Sequence, residues 1–372
     1  MLYFTTRKKP ARQERVPEME RTLPSLSKSL GSVRRQAVDL ANYNPVRESQ
    51  LNSDQPLPLL MEPASDQVDL ADWARNNRDY INQKLQKHGG ILFRGFNLKT
   101  PQDFEQVAAG IYNEIYSEYG DLPRESAGGK IYTSTPYPED KRILYHNESS
   151  HMNRWATRIS FFCVVAAREG GCSPVVDCRR VYQQLDPVVR QMFEEKGLMY
   201  VRNFSDGLDV SWQHFFQTDD CRVVEEACSA QGFICEWVGK DDLRVKQRCR
   251  AVLRHPATGE MAFFNQVQLH HVYCLDLAVR ESLLSIFKRE DLPRHVYFGD
   301  GSEIEDSVMD HVGEVYEKNA VRFTWREGDM VTLDNMLTAH ARDSFVGPRK
   351  IVVALGDLVD GSDVDAANRA TA

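Results

Sequence analysis

The sequence predicts a mainly β protein with helical insertions (α+β), whose core is a jelly-roll-like double sheet. After Gly120 the chain contains many short segments rich in Ile, Val, Phe and Tyr, bounded by Gly, Pro, Asp and Asn. This pattern is typical of β-strands. Long stretches of sequence separate the segments, so they must pair non-locally, as strands do in two packed sheets. Segments with helical periodicity precede them and lie between them.

The first elements are predicted before this β-rich region. A helix is expected over residues 69–88, because apolar residues recur along one face and Gly89 and Gly90 follow it. A short buried strand follows at 91–96, and a second helix runs from about 101 to 119 with Pro101 in its first turn. The later strands are predicted at 142–148, 158–166, 198–203, 260–266, 320–325, 329–333 and 349–355, with helices at 179–195 and about 275–290.

The domain organisation follows from composition. Residues 1–36 hold nine Lys and Arg against three Glu, are interrupted by Pro and Ser, and are expected to form a basic flexible arm. Residues 37–360 are expected to form a single domain. Residues 361–372 are small and polar, and we expect this tail to fray.

Composition also limits the function. The 372 residues are 42% hydrophobic and 27% charged, which excludes disorder over the whole chain. The net charge of −8 argues against nucleic acid or a membrane surface as a partner. No run of about 18 apolar residues predicts a membrane span, and the N-terminus lacks the apolar core of a secretory signal. Eight cysteines without a CxxC pair are too few for a disulfide scaffold, so we expect reduced thiols in a cytoplasmic protein.

A metal site is indicated by three residues. His146 and Glu148 lie two positions apart on a predicted strand, so both side chains can project from the same face. His340 follows another predicted strand near the opposite end of the β region, and a jelly roll brings such ends together. Two His and one carboxylate on one face of a metal are the facial triad of non-haem Fe(II) oxygenases.

Two more residues suit a bound carboxylate. Arg349 begins a predicted strand nine residues after His340, and its planar guanidinium can bind a carboxylate through two hydrogen bonds. Ser173 lies in a turn that begins with Gly170 and Gly171, where the backbone can approach a ligand closely. Its hydroxyl can donate to the same carboxylate.

Six segments, taken in their order along the chain, resemble the taurine catabolism dioxygenase (TauD/TfdA) superfamily of Fe(II)/2-oxoglutarate-dependent oxygenases. The likeness runs from about Arg34 to Leu355 and is greatest to the syringomycin-type amino-acid hydroxylase branch. The segments are YHNESSH (145–151), EGGCSPVVD (169–177), MYVRNFSDGLDVSWQHFFQTDD (199–220), HPATGEMAFFNQVQLHH (255–271), YFGDGSEIED (297–306) and GDMVTLDNMLTAHARDSFVGPRKIVVAL (328–355).

The resemblance implies a double-stranded β-helix, which is a cupin-like jelly roll, with Fe(II) and 2-oxoglutarate as cofactors and O₂ as co-substrate. It implies that His146, Glu148 and His340 ligate the metal and that Arg349 holds the distal carboxylate of 2-oxoglutarate. Ser173 stands where the family usually has threonine, which retains the hydroxyl. Some members carry a second arginine where this chain has Val353.

The resemblance further implies the oxidation of an unactivated C–H bond of an amino acid or an amino-acid derivative in secondary metabolism, with release of succinate and CO₂. The partner is then a small amino-acid-type molecule, and a peptidyl carrier protein is a candidate partner. Because Glu148 fills the carboxylate position, the halogenating variant of this chemistry is disfavoured. Arg142, Arg202 and Asn265 are candidate substrate residues; an internal ion pair and a core amide are the alternatives for Arg202 and Asn265.

Other functions remain open on the sequence alone. The same cofactors support desaturation or oxidative ring closure. A zinc hydrolase can use the same three ligands, but it leaves Arg349 and Ser173 without a purpose. A jelly-roll binding protein with a vestigial site is disfavoured because the triad is complete.

Overall fold

The computed structural model describes residues 44–52, 55–116, 126–133, 137–204, 210–239 and 241–370. The basic arm predicted for residues 1–36 lies outside the described residues. From Asn44 onward the chain forms one compact unit. None of the helices in the described part of the chain is long and apolar enough to cross a membrane.

The described residues contain nearly equal amounts of strand and helix. The strands are β1 (Val46–Asn52), β2 (Gln55–Pro63), β3 (Gly90–Phe93), β4 (Ile115–Tyr116), β5 (Ser126–Gly128), β6 (Ile131–Thr133), β7 (Ile143–His146), β8 (Arg154–Val165), β9 (Glu169–Gly170), β10 (Val175–Asp177), β11 (Leu198–Phe204), β12 (Ile234–Val238), β13 (Asp242–Cys249), β14 (Val252–Arg254), β15 (Met261–Phe263), β16 (Arg294–Phe298), β17 (Met330–Asp334), β18 (Thr338–Arg342), β19 (Phe345–Val346) and β20 (Lys350–Asp360). The helices are α1 (Leu70–Asn76), α2 (Arg78–His88), α3 (Pro101–Ile111), α4 (Cys178–Gln184), α5 (Pro187–Lys196), α6 (Trp212–Phe216), α7 (Cys221–Ala230), α8 (Val267–His270), α9 (Leu277–Ile286), α10 (Asp306–Asn319) and α11 (Gly361–Ala370).

A nine-stranded sheet forms the larger layer of the core. Its order is β1-β2-β3-β17-β8-β20-β6-β5, and β4 pairs with β20. Strand β8 lies at its centre and is buried along most of its length, as its run of Ile, Phe, Cys and Val requires. Residues far apart in sequence become neighbours there: Phe161 pairs with Val331 on one side and with Val353 on the other.

A three-stranded sheet of order β10-β18-β7 forms the second layer. Val175 of β10 belongs to the same buried cluster as Phe161 and Val353 of the large sheet, so the two sheets pack together through these apolar side chains. In the described part of the chain the sheets do not close into a barrel. The predicted double-stranded β-helix, α+β architecture is confirmed, and β7 and β18 carry the two histidines of the predicted metal site.

Helix α3 covers the outer face of the large sheet. Thr100 and Asp103 form a reciprocal capping box at its start, and Pro101 occupies the first turn. The helix buries its apolar side against the sheet, where Phe104 stacks on Phe162 with ring centroids 5.4 Å apart. On the other side, a four-stranded sheet of order β12-β13-β11-β16 extends the molecule beside the second layer.

Some predicted elements differ from those observed, for local physical reasons. The helix expected over residues 69–88 is divided into α1 and α2 at Asn77, whose side chain donates to the Trp73 carbonyl. The helix expected over 179–195 is divided into α4 and α5, because Pro187 disfavours helical backbone at Asp186. The helix expected to reach residue 119 ends at Ile111.

Two further expectations are wrong. Residues 320–325 form no strand; only an isolated bridge joins Val321 to Val175. The tail expected to fray forms helix α11 up to Ala370, because Val364 is buried against Trp155 and Phe264. This helix contains too few apolar residues for its helical periodicity to be recognised in the sequence.

Candidate active site

The two histidines of the predicted metal site face each other across neighbouring strands. His146 ends β7, and β18 places His340 directly opposite it, with ring centroids 4.2 Å apart. The Nδ1 of His146 lies 2.8 Å from the Leu144 carbonyl oxygen. Because a carbonyl only accepts, Nδ1 carries the proton and Nε2 carries the lone pair that a metal needs. His340 lies within a strand, whereas the sequence predicted a turn-like segment there.

Glu148 completes the group, but it does not lie on a strand as predicted. Strand β7 ends at His146, and Glu148 lies in the following turn. Its Oε2 is 3.8 Å from His340 Nε2, and His146, Glu148 and His340 each offer a ligand atom within 4.8 Å of the others. Burial raises the pKa of Glu148 to about 7, and a bound cation offsets this cost of a buried negative charge. The three residues therefore fit a divalent metal.

A buried amide network holds the turn that carries Glu148. Asn335 accepts a hydrogen bond from the Glu148 amide at 2.8 Å and donates to the Glu148 carbonyl at 3.0 Å. Asn147 donates to the Asn335 carbonyl at 2.7 Å, and Gln266 donates to the Asn147 carbonyl at 3.0 Å. Ser149, which follows Glu148 in the chain, has a φ of 56°, and this backbone conformation needs support from the surrounding structure. The sequence did not single out Asn335, although two polar residues, Asp334 and Asn335, directly follow the predicted buried strand at 329–333.

Arg349 and Ser173 form a second polar group beside the histidines. Arg349 donates through Nε to the Gly171 carbonyl at 3.1 Å and through a terminal nitrogen to Ser173 Oγ at 3.3 Å. The Trp325 indole donates to the same Oγ at 3.1 Å. Burial and the nearby Arg342 lower the pKa of Arg349 to about 10. Among the residues that the structure describes, no carboxylate pairs with Arg349, so a carboxylate ligand would relieve an otherwise costly buried charge.

Gly171 lets the backbone reach this arginine. Its φ is +68°, and a Cβ placed there would lie 3.1 Å from both Cδ and Nε of Arg349. A larger residue would therefore be strained in its backbone and would displace the guanidinium. The turn that the sequence marked with Gly170 and Gly171 is thus shaped around Arg349.

A cavity of about 900 Å³ joins these groups. It is lined by the three candidate metal ligands, by Ser173 and Arg349, and by Phe161, Ile351 and Val353. The apolar side chains come from β8 and β20, and they form part of the wall that also carries the metal-ligand cluster and Arg349. Such a concave site with a few convergent polar groups is typical of a small-molecule enzyme.

The predicted substrate residues lie in three different environments. Arg142 lines the cavity, and it pairs with Glu317 at 2.5 Å and Asp343 at 3.3 Å. Asn265 does not line it: its side chain donates to the Ala251 carbonyl and accepts from the Val267 amide, as a core amide does. Arg202 lines a smaller neighbouring pocket.

Comparison with known proteins agrees with this geometry. The family model for the taurine catabolism dioxygenase TauD, TfdA family matches residues 53–355. The chain belongs to this family. It is 38% identical over 281 residues to the dapdiamide synthesis protein DdaC of Enterobacter agglomerans, covering 75% of this chain and 85% of that protein. It is 24% identical over 330 residues to a clavaminate synthase-like protein of Arabidopsis thaliana, covering 84% of this chain and 97% of the relative.

The fold has a counterpart of known structure. PvcB, an Fe, alpha-ketoglutarate dependent oxygenase from an isonitrile synthetic pathway, superposes with a TM-score of 0.52 at 14% identity, covering 86% of this chain and 95% of PvcB. The PvcB protein is from Pseudomonas aeruginosa. Family membership and the cluster of two His and one Glu make this TauD/TfdA protein a non-haem Fe(II)/2-oxoglutarate-dependent oxygenase, which confirms the predicted enzyme class and cofactors.

Proposed function

We propose that this oxygenase oxidises an unactivated C–H bond of an amino acid or an amino-acid derivative, free or tethered to a peptidyl carrier protein, with release of succinate and CO₂. The observation that carries this proposal is one cavity that holds both a metal-ligand cluster and a buried arginine. In this proposal His146, Glu148 and His340 bind Fe(II), while Arg349 and Ser173 bind the distal carboxylate of 2-oxoglutarate.

The side chains contribute position and exclusion of water. When bound, Fe(II) and 2-oxoglutarate supply the oxidising chemistry, in which O₂ is consumed and 2-oxoglutarate becomes succinate and CO₂. The Leu144 carbonyl fixes the ring orientation of His146, and Asn335 fixes the backbone of Glu148. Phe161, whose ring centroid is 4.9 Å from that of His340, keeps bulk water from the metal face. These residues hold a substrate carbon near the oxidant and protect it from side reactions.

The relatives support a role in secondary metabolism. The name of the 38% identical relative attributes to it a part in dapdiamide synthesis. From this relative we infer only that the present chain also acts in the biosynthesis of an amino-acid-derived natural product. Its eight cysteines are free thiols, which supports the reducing cytoplasm as its compartment.

Two measurements test the proposal. Mixing the protein with Fe(II) and 2-oxoglutarate without oxygen is expected to give a weak visible charge-transfer band, which a zinc hydrolase would not give. Amino acids that then stimulate succinate formation are analysed by mass: a gain of one oxygen atom indicates hydroxylation, and a loss of two hydrogens indicates desaturation or ring closure. Absence of both the band and succinate formation, with free and with carrier-bound amino acids, would refute the proposed function.

A further inference from the structure

A largely exposed segment, residues 137–141, forms one wall of the active-site cavity. Four of its residues, Tyr137, Pro138, Asp140 and Lys141, line the cavity, and the segment consists of turns and irregular backbone before β7. Contacts with the rest of the molecule decide how firmly a segment of this kind is held, because it has few main-chain hydrogen bonds of its own. Those contacts therefore decide the shape of this part of the cavity.

Arg342 binds the backbone of this segment from the interior of the molecule. It ends β18, two residues after His340, and it is buried. One terminal nitrogen donates to the Tyr137 carbonyl at 3.1 Å, and the other donates to the carbonyls of Pro138 at 2.5 Å and Lys141 at 2.7 Å. Arginine carries several N–H donors in one rigid plane, which suits acceptors in fixed positions.

Aromatic rings and a main-chain hydrogen bond restrict Arg342 and the segment further. The guanidinium carbon lies 5.5 Å from the ring centroid of Tyr137 and 5.2 Å from that of Phe345, and cations favour such positions. The Phe345 amide donates to the Glu139 carbonyl at 2.9 Å. The segment is therefore held at a fixed distance from the strand that carries His340.

An ion pair joins the same segment to the opposite side of the cavity mouth. Lys141 donates to Asp276, the residue before α9. Both residues line the cavity and both are partly exposed. Exposed ion pairs contribute little to stability, whereas buried hydrogen bonds from a charged donor are stronger. Arg342 therefore supplies the stronger of these two connections.

We propose that Arg342 is a positioning residue of this oxygenase: it fixes residues 137–141 as a wall of the cavity, and this wall sets substrate affinity and the exclusion of water. The inference rests on the proposed function. A fixed wall holds the substrate carbon in a reactive position, and the exclusion of water prevents side reactions. Arg342 differs in this from Arg349, which contacts 2-oxoglutarate itself in the proposed function.

Hydrogen–deuterium exchange of the full-length protein, loaded with Mn(II) and 2-oxoglutarate, tests the positioning directly. Arg342→Gln is expected to raise the exchange rate of the amides of residues 139–142 by about tenfold or more, because three carbonyls lose a charged donor. Strand β8 should exchange at the wild-type rate. Arg342→Lys is expected to recover part of the protection, since lysine keeps the charge but loses the planar arrangement of donors.

Arg78→Gln is the matched control. Arg78 also donates to two backbone carbonyls, those of Gly110 at 2.9 Å and Ala109 at 3.1 Å, but it lies outside the residues that line the cavity. We expect this variant to leave the exchange of residues 139–142 and the kinetic constants near their wild-type values.

Steady-state kinetics test the consequence for turnover, with the amino acid that the succinate screen identifies as the probe. Arg342→Gln is expected to raise KM for that amino acid by roughly tenfold, to change KM for 2-oxoglutarate much less, and to raise the amount of succinate formed per molecule of oxidised product. A general loss of stability would reduce the amount of active protein without separating the two KM values. The anaerobic charge-transfer band should persist in the variant.

Lys141→Gln and Asp276→Asn provide a second test that does not disturb a buried residue. Each removes the partly exposed ion pair at the cavity mouth. Each is expected to raise the exchange of residues 139–142 and KM for the amino acid in the same direction as Arg342→Gln, but only by about twofold to threefold.

Unchanged exchange of residues 139–142 in Arg342→Gln would overturn the inference, and so would equal exchange in Arg342→Gln and Arg78→Gln. Equal increases of KM for the amino acid and for 2-oxoglutarate would also overturn it. If Arg342→Gln does not fold, unchanged exchange in both ion-pair variants decides against the inference. In each of these cases the oxygenase assignment stands. A wild-type protein with neither the charge-transfer band nor succinate formation would refute the proposed function, and this inference with it.

Discussion

Asn335 holds Glu148 by both its backbone amide and its backbone carbonyl. The side-chain oxygen of Asn335 accepts from the Glu148 amide, and its nitrogen donates to the Glu148 carbonyl and to that of Ala156. Asn335 is fully buried and joins the turn after β7 to the end of β17. We infer that Asn335 is a positioning residue for the candidate metal site: it touches no ligand atom, yet it fixes the backbone from which one ligand projects.

Asn335→Asp keeps the shape of this side chain but removes its two donated hydrogen bonds. Leaving two buried carbonyls without a partner is expected to lower the free energy of unfolding by about 1–3 kcal/mol. The affinity for Fe(II) or Mn(II) is expected to fall by roughly 10–100-fold, as it does when a group that orients a ligand is lost. Urea unfolding and metal titration measure the two effects. Asn97→Asp at an exposed position is the control; equal metal affinity in both variants would remove Asn335 from this role.

Glu148 and Asn335 also show which part of the site could be predicted from the sequence and which part could not. The spacing of His146 and Glu148 and the distant His340 predicted a three-residue cluster, and the structure brings these three together. The reason given for Glu148 was wrong, because a strand does not position it. Its position depends on Asn335, 187 residues away in sequence, and no local pattern reports a contact at that separation.

For the fold as well, some strands could be predicted from the sequence and others could not. The apolar strands β8, β17 and β20 were recognisable because both of their faces are buried. Strand β13 (DLRVKQRC) was missed because it holds few of the aliphatic and aromatic residues that mark the other strands, and Gln247 occupies one of its buried positions.

His340→Ala is expected to reduce substrate-dependent succinate formation to the background level. The imidazole lies opposite His146 and close to Glu148, so its loss leaves two of the three candidate ligands. The fold should be retained, because two neighbouring strands still pair with β18. Succinate assays and circular dichroism test this. His214→Ala, at an exposed position on α6, serves as the matched control, and undiminished succinate formation in His340→Ala would mean that this residue does not bind the metal.

Arg349→Ala is expected to raise KM for 2-oxoglutarate by at least about tenfold, with a much smaller effect on the apparent Fe(II) constant. The reason is the loss of a buried charged donor for the distal carboxylate. For Arg349→Lys we expect a KM for 2-oxoglutarate between that of the wild type and that of Arg349→Ala, because lysine keeps the charge but loses the second hydrogen bond. Initial rates over a range of each cofactor provide the comparison; parallel changes in both constants would indicate a structural role for Arg349.

Gly171→Ala tests whether the glycine turn is shaped around Arg349. The positive φ alone is expected to lower the free energy of unfolding by roughly 1–3 kcal/mol. In addition, the new methyl group would contact Cδ and Nε of Arg349 at 3.1 Å and shift the guanidinium, which is expected to raise KM for 2-oxoglutarate by up to about tenfold.

Gly259→Ala is the control for the backbone effect. Gly259 has a φ of +70°, close to that of Gly171, but a Cβ there would meet nothing within 4 Å. The two variants should therefore lose comparable stability, while only Gly171→Ala should weaken 2-oxoglutarate use. A similar KM in both variants would show that Arg349 adjusts to the methyl group without loss.

A pair of buried histidines is expected to make the protein less stable in mild acid. Burial lowers the pKa of His271 to about 4 and that of His295 to about 3, and their rings lie 4.8 Å apart. His271 accepts from the Tyr273 amide through Nδ1, so Nε2 carries the proton and donates to the Ile304 carbonyl. Protonation of Nδ1 would break the first of these hydrogen bonds.

The direction of the pH effect follows from these pKa values. An unfolded chain takes up protons on these imidazoles below about pH 6.5, whereas the folded chain resists protonation until about pH 4. The stability that these two neutral histidines contribute is therefore fully present above about pH 6.5, and it is lost as the pH falls from there towards 4. Arg289, which also disfavours the charged form of His271, adds to the effect, and Asp306 opposes it.

His271→Gln should make this acid sensitivity smaller, because glutamine can accept and donate at the same positions without titrating. Between about pH 7.5 and about pH 5 the variant is expected to lose roughly 1–2 kcal/mol less of its free energy of unfolding than the wild type does. Urea unfolding at the two pH values measures the difference, with the exposed His214→Gln as control. If His271→Gln and the wild type lose the same free energy, protonation of His271 does not contribute to the acid limb, and another buried group must be responsible for it.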